Sequence, residues 1–355
     1  MFMEKIVFCG DFYYDYPYIS EDIRQMASYI KANHLKLIVN LEAPLVSSER
    51  QIKKRGPALV QGERAIEVLK ALNVVGVCLA NNHIMDYGED ALKDTLRILD
   101  DNGIAHCGAG RNLQEARKPM KLEINREVIT ILDYGWEVEE VVSAGIENAG
   151  AAPLVHKDIL EDIRQCVGRK EKAIVNLHWG YEFNLLPQPY DVNFAHEIVD
   201  AGANLVIGHH PHVIQAKETY HGIDIFYSLG NFYFSSRRKD YRKTFPTVYK
   251  LECDYGAIAQ LDINDWTVKT KIIWFDREKE QSYILSGKNV YSIKDISEQP
   301  MNAAYVRLTK KMKNHVNPIL TGNEALNKVK LWYLQVFVRK FLRTGWLIKK
   351  RLLGK

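Results

Sequence analysis

Five apolar runs in this 355-residue chain share one design: each reads as a buried strand and ends in a side chain able to bind a metal or move a proton. They are Ile6-Val7-Phe8-Cys9-Gly10-Asp11, Leu37-Ile38-Val39-Asn40-Leu41-Glu42, Val77-Cys78-Leu79-Ala80-Asn81-Asn82-His83, Ile174-Val175-Asn176-Leu177-His178, and Leu205-Val206-Ile207-Gly208-His209-His210-Pro211-His212. Short continuous apolar runs are the mark of strands buried on both faces, as in parallel sheets. Helical periodicities separate them, over about 20–33, 63–72, 89–102, 156–167 and 190–200, and Gly103 sits at a helix C-cap. Such alternation predicts an α/β fold with much parallel pairing. In sheets of that kind functional groups gather beyond the carboxyl ends of the strands. From about 213 to 275 the pattern turns β-rich, which predicts a second sheet.

If the five ends are neighbours, Asp11, Glu42, Asn82, His83, His178, His210 and His212 converge. Oxygen and imidazole donors without thiolates suit Mn, Zn or Fe, as one divalent ion or a pair. The alternation of side chains along a strand predicts that His210 and His212 share a face. The five cysteines (Cys9, Cys78, Cys107, Cys166, Cys253) are odd in number, widely spaced and without a Cys-x-x-Cys pair, so they are expected to be reduced and structural. With 46% hydrophobic and 26% charged residues the composition is globular. One large domain, 1–276, and a helical basic extension, 277–355, are expected.

The ordered set Gly10-Asp11, Asn40-Leu41-Glu42, Asn81-Asn82-His83, His178-Trp179-Gly180, Gly208-His209-His210-Pro211-His212 and Ser228-Leu229-Gly230-Asn231-Phe232 resembles the CapA capsule-synthesis family. That family includes poly-γ-glutamate capsule proteins and is related to the calcineurin-like metallophosphoesterases. The likeness covers about residues 4–265. It implies a four-layer αββα sandwich in which two mixed β-sheets are flanked by helices and loops build a two-metal site. It further implies that Asp11, Glu42, Asn82, His178, His210 and His212 are metal ligands, and that His83 contacts substrate or protonates the leaving group beside Asn82. Trp179, Tyr181, Glu182 and Asn231 are expected near the substrate, with packing under the site the equal alternative for Trp179, and Asn231 shaping the site through hydrogen bonds. Two positions depart from the phosphoesterase pattern: Tyr13 stands where they have a histidine, and Glu42 where they have a bridging aspartate. The implied function is a metal-dependent, phosphoesterase-like hydrolase acting on a phosphoester or anionic polymer in bacterial capsule or other surface-polymer biosynthesis. Two alternatives stay open: an amide hydrolase acting on a γ-glutamyl polymer, and a non-catalytic subunit of a polymer synthesis or export complex.

The net charge of +4 hides an asymmetry, because residues 301–355 hold 13 Lys/Arg against Glu324 alone. That stretch carries +12 and leaves −8 on the other 300 residues. An acidic body argues against nucleic-acid binding. Within 323–348, Leu326, Val329, Tyr333, Phe337 and Phe341 recur at helical spacing among lysines and arginines, with Trp332 and Trp346 nearby. Such a helix either rests on an anionic membrane face or a protein partner, or packs its apolar side on the domain with its lysines in water. No run is long enough to span a bilayer, and the first residues lack the regions of a signal peptide, so a cytoplasmic protein, peripheral to the membrane at most, is expected. Deletion of 323–355 is expected to leave a folded protein that no longer sediments with anionic vesicles. Unchanged sedimentation would remove the membrane role.

Overall fold

The computed structural model describes residues 5–285, other than 55, 63, 125–126, 138–139, 236–250 and 277, together with Ile293. The helix expected within 323–348 lies outside the described residues, as does most of the 277–355 extension. All described residues fall in one compact unit, Met1–Thr309. In chain order it begins β1 (Lys5–Tyr13), α1 (Glu21–Ala32), β2 (Leu35–Leu41), α2 (Ala65–Ala71), β3 (Val74–Cys78), α3 (Gly88–Asp101) and β4 (Ala105–Cys107). Next come β5 (Ala109–Gly110), α4 (Leu113–Ala116), β6 (Met120–Ile124), β7 (Glu127–Gly135) and β8 (Gly150–Ala151). Then follow α5 (His156–Gly168), β9 (Lys172–His178), α6 (Pro189–Asp200) and β10 (Leu205–His209). The last strands are β11 (Lys217–Tyr220), β12 (Ile223–Phe226), β13 (Asn231–Phe234), β14 (Tyr255–Asp262), β15 (Thr267–Asp276) and β16 (Gln281–Leu285).

These strands form two large sheets. The first runs β16-β15-β14-β1-β2-β3-β4, with β13 also pairing β1, and the second runs β11-β12-β10-β9-β7-β6. Strands β1 to β4 are mutually parallel, as are β7, β9, β10 and β12; the antiparallel strands lie toward the edges. β16 carries the first sheet past residue 276. The β11–β12 hairpin turns at His221-Gly222, both with positive φ (50° and 79°), the backbone that tight hairpins require. The strand expected from Val213 begins only at Lys217; before it, Ile214 makes an isolated bridge to Leu229.

Side-chain parity explains the layers. Val7, Leu37, Val39 and Val77 face the helices α1–α3, where Ile23, Met26, Val68 and Leu92 meet them in one core. Their neighbours Ile6, Phe8 and Ile38 point the other way and meet Ile129, Ile131, Ile174, Leu205 and Ile207 of the second sheet. Helices α5 and α6 cover the far side of that sheet, against β7, β9 and β10. The result is the α/β, four-layer αββα sandwich.

The inter-sheet layer is apolar at one end and polar at the other. Asn176 and His178 follow Ile174 at two-residue steps, His209 follows Ile207, and Asp133 follows Ile131, so all four enter the same layer at strand carboxyl ends. Asp11 does not follow this rule. Counting by twos puts it with Val7 and Cys9 on the helix side. A bulge corrects this: Phe8 pairs Ile38 while Asp11 pairs Asn40, three steps on β1 against two on β2. The extra residue re-aims Asp11 into the inter-sheet layer. Gly10 permits the bulge, because a Cβ there would stand 1.8 Å from the Gly230 carbonyl oxygen, which accepts the Asp11 N–H at 2.9 Å. Gly10→Ala is therefore expected to destabilise the chain by about 1–3 kcal/mol, the usual cost of overpacking, read as a lower denaturant midpoint. An unchanged midpoint would mean that the Gly230 segment moves aside freely.

Candidate metal centre

At the polar end of the layer, Asp11, Glu42, Asn82, His83, His178, His210 and His212 come together, and none is more than 8% exposed. Asp11 lies on β1, Glu42 just past β2, and Asn82 and His83 in the turn after β3. His178 ends β9. His210 and His212 lie beyond β10 rather than on alternate positions of it, which corrects the expectation of a shared strand face. Both have left-handed backbones, with φ of 96° and 57°. Such conformations cost roughly 1–3 kcal/mol each outside glycine and persist where the surroundings impose them, commonly at functional sites.

Two sets of contacts emerge. In one, Asp11 Oδ2 stands 3.1 Å from His212 Nδ1, and Glu42 Oε1 stands 3.6 Å from His212 Nε2. In the other, His178 Nε2 lies 3.0 Å from Asn82 Oδ1 and 3.1 Å from His210 Nδ1. Asn40 joins them. Its Nδ2 donates to Asp11 Oδ1 at 2.8 Å and to Glu42 Oε2 at 2.6 Å, and it lies 3.5 Å from His178 Nδ1. One oxygen of each carboxylate is thus anchored. The other two, Asp11 Oδ2 and Glu42 Oε1, are buried without a hydrogen bond. Ligand atoms of Asp11, Glu42 and His178 all lie within 4.8 Å of one another. Buried anionic oxygens beside imidazoles fit a divalent transition metal ion.

Charge follows the geometry. Burial alone would raise the Asp11 carboxyl, but His209 and His212 overcome it and hold Asp11 well below the usual carboxylate range. Burial, reinforced by the Asp11 charge, pushes Glu42 well above it. Burial opposes charge on His212 as well, yet Asp11 and Glu42 push it up to about 10. His178 is held well below its ordinary value by burial and by the neighbouring His210, so it presents a neutral imidazole.

His83 belongs to a separate assembly. Its Nδ1 lies 2.6 Å from Asp86 Oδ2, and Lys54 Nζ reaches Asp86 Oδ1 (2.7 Å), the Asn82 carbonyl (2.9 Å) and His83 Nδ1 (2.9 Å). Burial lowers the His83 pKa despite Asp86. Asn81 shapes the turn: its Nδ2 donates to the Leu41 carbonyl at 2.7 Å, and its Oδ1 accepts the N–H groups of His83 and Ile84 at 3.1 and 2.9 Å. Sequence reasoning missed Lys54, Asp86, Asn40 and His209 as parts of the site. Asn40 did carry a signal, as a polar residue two before Glu42 inside an apolar run. Lys54 carried none, since it reaches the site from a loop.

Of the two placements expected for Trp179, the structure shows the packed one, its indole N–H donating to the Tyr227 carbonyl at 3.0 Å and its ring stacked on Tyr227. Tyr181 is half-buried, edge-on to Trp136 with ring centroids 5.4 Å apart. Glu182 is exposed, near enough for its charge to favour the protonated form of His212. Asn231 holds His212, accepting from Nδ1 at 3.0 Å. Tyr13 turns its ring onto Phe234 and its hydroxyl toward Asp15, so it brings no donor to the Asp11 side. A groove of about 1990 Å³ runs elsewhere, beside α4 and the edge strands β4 and β6. It holds none of the converging residues, and the donor set rather than concavity marks the site.

The family described as bacterial capsule synthesis protein PGA_cap matches residues 5–236, a range that contains every residue of the cluster. A "Capsule biosynthesis protein CapA" of Bacillus anthracis is 30% identical over 227 residues, covering 61% of this chain and 55% of that protein. A "PGA biosynthesis protein CapA" of Bacillus subtilis (strain 168) is 33% identical over 177 residues, covering 50% and 47%. A "Probable polyglutamine synthesis accessory protein" of Mycobacterium tuberculosis (strain CDC 1551 / Oshkosh) is 31% identical over 209 residues, covering 55% and 54%. The chain spans about half the length of these curated relatives. Among solved structures, the 5'-nucleotidase precursor from Thermus thermophilus overlays with a TM-score of 0.48 at 10% identity, covering 89% of this chain and 58% of that one.

Glu42 crowds a second acid against Asp11, so its neutral analogue relieves that repulsion. In the presence of a chelator, Glu42→Gln is expected to raise stability by about 1–2 kcal/mol, the scale of an unsatisfied buried polar group, read as a higher denaturation midpoint. A lower midpoint would show that the Glu42 proton already satisfies the site.

Proposed function

The chain belongs to the bacterial capsule synthesis protein family PGA_cap, and from that premise we propose that it is a metal-dependent, phosphoesterase-like hydrolase of capsule or other surface-polymer biosynthesis. The carrying observation is the pair of buried carboxylate oxygens, Asp11 Oδ2 and Glu42 Oε1, that lack hydrogen bonds amid imidazole and amide donors. Asp11, Glu42 and His212 would hold one ion; Glu42, Asn82, His178 and His210 would hold a second. Mn, Zn or Fe, when bound there, would supply positive charge for the substrate oxygens and an acidic water as nucleophile.

The chain's own residues do the rest. Asn40 keeps both carboxylates aimed by donating to one oxygen of each. Asn81 locks the turn that presents Asn82 and His83. With Nδ1 engaged by Asp86, His83 has Nε2 left to give a proton to the leaving group. Asp86 favours the imidazolium while burial and Lys54 disfavour it, which makes His83 a ready donor rather than a permanent cation. Glu182, exposed and close enough for its charge to act on His212, would meet an approaching substrate. The names of the relatives, which speak of capsule, PGA and polyglutamine synthesis, support the surface-polymer setting.

The test is metal content of the purified chain beside His178→Ala/His210→Ala, then turnover of bis(p-nitrophenyl) phosphate and of γ-glutamyl-p-nitroanilide. One or two equivalents of a transition metal, lost in the double variant, are expected. His83→Ala is expected to keep the metal and lose roughly 10²–10⁴ in kcat, the range of one general acid. No metal in the wild-type chain after incubation with Mn²⁺, Zn²⁺ and Fe²⁺ would overturn the reading. Turnover of the amide alone would move the chemistry from phosphorus to carbonyl carbon.

A further inference from the structure

His209 ends β10 on the inter-sheet face, in register with His178 of β9, and is 1% exposed. Its Nε2 lies 2.7 Å from Asn176 Oδ1. Asn176 is itself oriented, since its Nδ2 donates to Asp133 Oδ1 at 2.7 Å. The other oxygen of Asp133 accepts the backbone N–H groups of Leu79 and Ala80, each at 2.8 Å. With the amide fixed this way round, Asn176 offers His209 an acceptor. His209 therefore donates from Nε2 to Asn176, and Nδ1 is the ring nitrogen it turns toward Asp11. That nitrogen has no hydrogen-bond partner, and it stands 3.4 Å from Asp11 Oδ1.

At 3.4 Å the pair is longer than a good N–H···O hydrogen bond, which leaves the buried nitrogen open to a cation shared with Asp11. We propose that His209 Nδ1 is a ligand of the ion held by Asp11, taking the place of the imidazole that Tyr13 does not provide. The proposal rests on the metal-centre reading above. A separation of 3.4 Å is what two donors make when they share one ion at about 2.0–2.1 Å with an angle of about 110°. The partners behind the imidazole follow a known pattern. A ligating histidine gives its second N–H to an acceptor that fixes its tautomer and raises its basicity. Here the chain Asp133, Asn176, His209 supplies that support from three neighbouring strands of the second sheet, while Asp11 comes from the first. The ion would thus tie the two sheets together through His209. Nitrogen at this position also favours Zn²⁺, Co²⁺ or Mn²⁺ over Mg²⁺.

The experiment uses the full chain and Co²⁺ as probe, with equilibrium dialysis for affinity and visible absorption for coordination. Asp11→Asn identifies the ion in question by its loss. His209→Phe removes the donor and keeps volume, and Asn176→Leu removes only the support behind it. Both are expected to weaken that ion at least tenfold, with an altered Co²⁺ spectrum in His209→Phe, while the ion lost in His178→Ala keeps its affinity. Should His209→Phe lose its fold by circular dichroism, Asn176→Leu decides, with a loss of about 10–100-fold expected. Wild-type affinity and spectrum in both folded variants, or in Asn176→Leu alone where His209→Phe unfolds, would make His209 a charge partner of Asp11 and overturn the proposal. A wild-type chain that takes up no Co²⁺ would overturn the metal reading itself.

Discussion

Two acids, Asp11 and Glu42, are buried side by side between two β-sheets, and the local structure is arranged around containing their charge. A carboxylate taken out of water is stable only when hydrogen bonds or positive charge replace its hydration. Asn40 provides half of that by donating to one oxygen of each acid. His212 faces both acids across the site, and its own imidazole is held in place by Asn231. What Asn40 leaves over, the oxygen of each acid that faces His212 and lacks a hydrogen bond, is the demand that a cation would answer.

Meeting that demand shapes the backbone. Asp11 reaches the layer only because β1 carries an extra residue, and the extra residue is tolerated only because Gly10 has no side chain to meet the Gly230 carbonyl. His210 and His212 leave the strand into left-handed conformations that a β-strand would never offer. Bulge and strained loop are local departures from regular structure, and each places a donor that regular structure would aim elsewhere. The Asp133–Asn176–His209 line shows the same economy in the second sheet, where a run of core positions becomes polar toward its end.

The His83 group is kept apart from the two buried acids. His83 answers to Asp86 and Lys54, whereas Asp11 and Glu42 answer to Asn40 and His212. Asn81 links the two, since one amide both pins the turn to β2 through Leu41 and receives the backbone N–H of His83. Under the proposed function, separation of this kind would let a transferable proton exist beside a strongly charged centre without being captured by it.

Much was legible in the sequence because strand burial and strand ends are local properties. Apolar runs closing on Asp11, Glu42, Asn82-His83, His178 and His210-Pro211-His212 carried the α/β layering, the parallel pairing and the identity of the converging residues. Only the tertiary structure decided how those residues face one another. The β1 bulge depends on where the Gly230 carbonyl passes, Lys54 arrives from a loop without a pattern of its own, and Trp179 is drawn under the site by a bond to the distant Tyr227 carbonyl. His209 looked like one more residue of a histidine-rich segment, and its orientation depends on Asn176 and Asp133 from two other strands. Periodicity reports which side of an element a residue occupies. Register shifts, positive φ and long-range hydrogen bonds, which aim the side chain, arise only when the sheets meet.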